Sequence, residues 1–76
     1  MSELWNTWMG KQTPAEVLRR ADLAILAGKF ESRREAFVDY VDHALRVLSP
    51  EAEPISPTSL AQRLLDYAEG SEQVGP

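Results

Sequence analysis

The single histidine, His43, follows Asp39 and Asp42 in the run Asp39-Tyr40-Val41-Asp42-His43, the strongest candidate for acid–base or metal chemistry. On a helix Asp39 and His43 stand one turn apart, close enough for a local ion pair. A metal centre needs several converging donors, and with no cysteine in the chain this run falls short of one. Ser32, Ser49 and Ser56 each precede or begin a helical pattern, so capping accounts for them without a nucleophilic role. Gly28-Lys29-Phe30-Glu31-Ser32 lacks the glycine spacing of a phosphate-binding loop. No acid, base and nucleophile come together. The sequence therefore predicts a binding protein, with no cofactor and no metal, rather than an enzyme.

Two other groups of residues suit recognition. Five of the eight basic residues, Arg19, Arg20, Lys29, Arg33 and Arg34, lie between positions 19 and 34. Arg33 and Arg34 fall in the first turn of a helix, where a positive charge opposes the helix dipole at a cost of about 0.3–1 kcal/mol each. That placement points to an anionic partner, unless Asp22, Glu31 or Glu35 neutralises the cations within the fold. Trp5 and Trp8 form the second group, since tryptophan and arginine are the types most enriched in binding hot spots. They either seal the core or anchor a partner. Together the two groups make up the expected partner-binding set.

The elements that must position these residues are clearly punctuated. Thr13-Pro14-Ala15-Glu16 opens a helix over residues 14–27, with Thr13 as cap, Pro14 in the first turn and Gly28 as the stop. Towards its end that helix is apolar nearly all round (Leu23, Ala24, Ile25, Leu26), a pattern expected of a helix buried on more than one side. Ser32-Arg33-Arg34-Glu35 opens a second helix over 33–48, with Phe37, Tyr40, Val41, Ala44, Leu45 and Leu48 on one stripe. On its other face Asp42 and Arg46 are spaced to pair. Pro50, Pro54 and Pro57 make a stiff connector. A third helix follows over 57–69 and is expected to stop at Gly70, leaving 71–76 as a frayed tail. Residues 1–12 form a short helix or arm, with Leu4, Trp5, Trp8 and Met9 at helical spacing, Ser2 as cap and Gly10 as stop. Read as a strand, this segment would have no cleanly polar face. The fold class is all-α: one small three- to four-helix bundle.

Ala27-Gly28-Lys29-Phe30-Glu31-Ser32-Arg33-Arg34-Glu35 resembles the inter-helix junction of ribbon–helix–helix antitoxins of the ParD type, and Thr13-Pro14 resembles the opening of that family's first helix. The resemblance covers about a third of the chain, Thr13–Glu35. It implies a dimer, DNA binding through paired N-terminal strands, and a C-terminal segment that wraps a toxin.

The 76 residues fit one domain near the lower size limit for independent folding. Cysteine-free scaffolds of this size often gain stability by oligomerising, which predicts a homodimer. A net charge of −4 favours solubility and weakly opposes phosphate binding. The longest apolar run, Leu23 to Ala27, is far short of a membrane span, and the N-terminal residues lack a signal-peptide pattern, so a cytoplasmic protein is expected. The leading expectation is a small bacterial or phage regulator, inhibitor or adaptor that docks onto a larger protein. The alternatives are an antitoxin acting as DNA-binding repressor, and a binder of a small anionic ligand or nucleotide at Lys29, Arg33 and Arg34.

Overall fold

The computed structural model describes residues 3–48 and 56–74. Among them lie four helices and no strand: α1 (Glu3–Met9), α2 (Pro14–Leu26), α3 (Arg33–Leu48) and α4 (Pro57–Val74). No helix among the described residues is long and apolar enough to cross a membrane. The Ser2 cap, the proline connector over 49–55 and the last two residues lie outside the described residues.

α2, α3 and α4 each start where the sequence supplies an acceptor for the unpaired first-turn amides. The Thr13 hydroxyl accepts from the Glu16 N–H at 3.2 Å, Ser32 from Glu35 at 3.3 Å, and Ser56 from Ser59 at 3.4 Å. α2 ends at Gly28, whose φ of 80° lets its N–H donate to the Ile25 carbonyl and the Lys29 N–H to that of Ala24. That pair of bonds turns the chain into α3. α1 ends at Gly10, and the Trp5 indole N–H then donates to the Gln12 carbonyl at 2.7 Å, closing the turn into α2. Ala27 is thus the C-cap of α2 rather than its last helical residue.

The core is built where these helices meet. α4 packs against both α2 and α3, and α1 lies against α3. Val17, Leu18 and Ala21 of α2, Phe37 and Val41 of α3, and Leu64 of α4 are buried. Trp5 joins them from α1, its ring 6.4 Å from Phe37 and 5.6 Å from Tyr67, centroid to centroid.

α4 departs from expectation. It does not stop at Gly70 but continues to Val74, so 71–74 are helical rather than frayed. Glycine ends a helix when it takes a left-handed conformation; Gly28 does so, while Gly70 keeps a negative φ. Beyond the glycine, Glu72 reaches the Arg33 guanidinium, which Glu69 also meets from just before it.

The two glycines should therefore respond in opposite directions to the same change, because a Cβ at either would meet nothing within 4 Å. Gly28→Ala is expected to destabilise by roughly 1–2 kcal/mol through its positive φ. Gly70→Ala is expected to stabilise by about 0.5–1 kcal/mol by lowering the entropy of the unfolded chain. Thermal melting of the two variants checks both signs.

Candidate functional site

The basic cluster separates into two parts. Arg33, at the start of α3, points inward to a carboxylate trio. Its Nε and Nη2 donate to the two oxygens of Asp22 at 2.8 and 2.9 Å, and its Nη1 reaches Glu69 at 3.1 Å and Glu72 at 3.4 Å. Hydrogen bonding from the Arg33 guanidinium holds the Asp22 carboxyl below its usual range, against an opposing effect of burial, and the charge of Arg33 adds to the lowering. Arg33 is thereby committed to joining α2, α3 and α4. The charge of Arg33 at the head of α3 is met from inside the fold, where it clamps the three helices.

Arg19, Arg20, Lys29 and Arg34 remain exposed. On α2, Arg19 and Arg20 share the outer face with two leucines left in water: Leu23 is 59% exposed and Leu26 84%. Ala27 is exposed beside them, and Lys29 follows just past Gly28. The apolar end of α2 is therefore covered on one side only. Its second apolar side has no cover from the described residues of its own chain.

The tryptophans also part company. Trp5 is fully buried. With no exposed surface, its side chain could meet a partner only if the core opened. Trp8, three residues on, is only half-buried and lines a groove of about 380 Å³ with Val17, Arg20, Tyr40, Ala44 and Val47. Val47 is 79% exposed at its rim. Burial pushes the Tyr40 hydroxyl up, while the charge of Arg20 pulls it the other way. Gln12 belongs to the same groove, and its buried Oε1 has no hydrogen-bond partner among the described residues.

His43 stays on the surface of α3, its Nδ1 3.1 Å from the Asp39 carbonyl oxygen and 3.7 Å from the Asp39 carboxylate. Asp42 turns instead to Arg46, at 3.1 Å. This chain's described residues hold no group of three or more His, Cys, Asp or Glu side chains that could bind a metal ion. Of its exposed apolar residues, Leu23, Leu26 and Val47 were missing from the sequence-derived set; the all-round apolar pattern of α2 was the signal for the first two.

Comparisons of the chain with protein-family models, curated proteins and solved structures find no match. The functional reading therefore rests on this surface.

Proposed function

We propose that this protein is a small protein-binding module that regulates, inhibits or adapts a larger protein. The observation that carries the reading is the outer face of α2, where Leu23 and Leu26 stand in water between cationic side chains. Burying a leucine fully is worth about 1.5–3 kcal/mol. Two on one helix face, with arginine beside them, have the composition of an interface centre. The half-buried Trp8 and exposed Val47 add a second apolar area. A homodimer is the second reading, since another copy of the chain would also cover leucines of this kind.

The antitoxin and anionic-ligand readings have less support. DNA recognition of the ribbon–helix–helix kind needs an N-terminal strand, whereas Glu3–Met9 is helical. An anion site at Lys29, Arg33 and Arg34 loses its central cation to Asp22, Glu69 and Glu72.

The test is capture from cell lysate by the wild type and by a Leu23→Ser/Leu26→Ser double variant. Both leucines are exposed, so the double change should alter stability by no more than about 0.5 kcal/mol per site. A discrete protein retained by the wild type and lost by the variant is the expected result. Retention of nucleic acid alone, or of nothing, would remove the proposal.

A further inference from the structure

We infer that the outer face of α2 takes an acidic amphipathic helix of a partner protein. The inference rests on the protein-binding reading and names the chemistry of its partner. Arg19, Leu23 and Leu26 fall at i, i+4 and i+7, one line along the helix surface. Arg20 and Ala27 stand beside that line, and Lys29 lies just beyond its end; all of them are exposed. The acids nearby do not balance these cations. Glu16 is the one acid among the exposed residues of α2; Asp22, about half exposed, and Glu72 share a cavity with Arg19 and Leu23, but both are paired with Arg33. The face is thus cationic and apolar on a chain whose net charge is −4. Such a face complements a helix that presents its own apolar stripe between glutamates or aspartates, packed side by side in the manner of helix pairs.

Other occupants fit less well. A second copy docked through the same face would bring Arg19, Arg20 and Lys29 of both chains together, and like charges brought together across an interface oppose association. An anionic membrane would meet the cations, but only Leu23 and Leu26 are available to enter it, with no aromatic on that face, and the acidic remainder of the chain is repelled. Nucleic acid has no use for the leucines.

Two synthetic helical peptides with the same leucine stripe, one with glutamates on its polar face and one with lysines, provide the test on the isotope-labelled full chain. The glutamate peptide should bind on the order of tenfold more tightly than the lysine peptide, moving the amide signals of Arg19, Leu23, Leu26 and Lys29. Arg19→Gln/Arg20→Gln should erase most of that preference, and Leu23→Ser/Leu26→Ser should abolish binding of both peptides, with melting curves showing every variant folded. Equal binding of the two peptides would overturn the inference. So would signals that move only around Trp8 and Val47, a self-associated chain whose α2 amides are already protected, or preferential binding to phosphatidylserine vesicles. If the peptides fail while the lysate protein is still captured through Leu23 and Leu26, the acidic-helix inference falls and the binding function stands; absence of any capture removes the function itself.

Discussion

Replacing Trp5 with alanine is expected to destabilise the protein by about 3–5 kcal/mol, the range for deleting a large buried aromatic. Small domains hold roughly 0.05–0.15 kcal/mol of stability per residue, so this change would remove much or all of what a chain of this length has. Three losses coincide: the ring between Phe37 and Tyr67, the seal between α1 and the core, and the indole bond to the Gln12 carbonyl. Trp5→Phe keeps part of the packing and leaves the Gln12 carbonyl without its donor, so it should fall between. Trp8→Ala should be much milder, because its ring is only half-buried. Urea unfolding followed by circular dichroism ranks the three. A Trp5→Ala protein as stable as the wild type would mean that α1 does not pack as described.

The second large effect is expected at Arg33. Arg33→Gln leaves Asp22, Glu69 and Glu72 gathered around a neutral group, where they repel one another. The clamp is partly exposed, so a cost of about 1–2 kcal/mol is expected, above that of an isolated surface pair and below that of a buried one. Arg34→Gln, at an exposed neighbour without such partners, should be nearly neutral or slightly stabilising by relieving the helix dipole. The Arg33 effect carries a pH signature. Asp22 holds its proton less tightly in the folded chain than in the unfolded one. Its contribution is therefore in place above the ordinary aspartate pKa of about 3.9 and is lost as pH falls through the depressed folded value. The stability gap between wild type and Arg33→Gln should be full near neutrality and close in acid. A gap that does not change between neutral and acidic pH would contradict the Arg33–Asp22 pairing.

Local chemistry was legible in the sequence, and long-range chemistry was not. Thr13, Ser32 and Gly28 act within a few residues of themselves, so their capping and stopping roles could be read directly. The end of α4 could not. Gly70 carries a stop signal, yet the helix runs past it to Glu72, which meets Arg33, 39 residues away along the chain. The same distance hid the role of Arg33, which local sequence groups with Arg34 although the two side chains point to opposite environments. Trp5 and Trp8 stand less than one turn apart, and spacing alone does not say which of them faces Phe37. The exposed leucines of α2 were visible as an excess of apolar residues, but which side the fold would leave uncovered depends on where α4 lies.

The most direct measurement of the central claim, that α2 docks a partner protein through its outer face, is site-specific photo-crosslinking in the cells that make this chain. With a photoreactive residue in place of Leu26, the account predicts a covalent adduct with one different protein, weakened when Arg19 and Arg20 are changed to glutamine. The same probe at Val47, on α3, should give little or none of that adduct. An adduct of the chain with a second copy of itself, or a silent Leu26 position beside a reactive Val47, would contradict the claim.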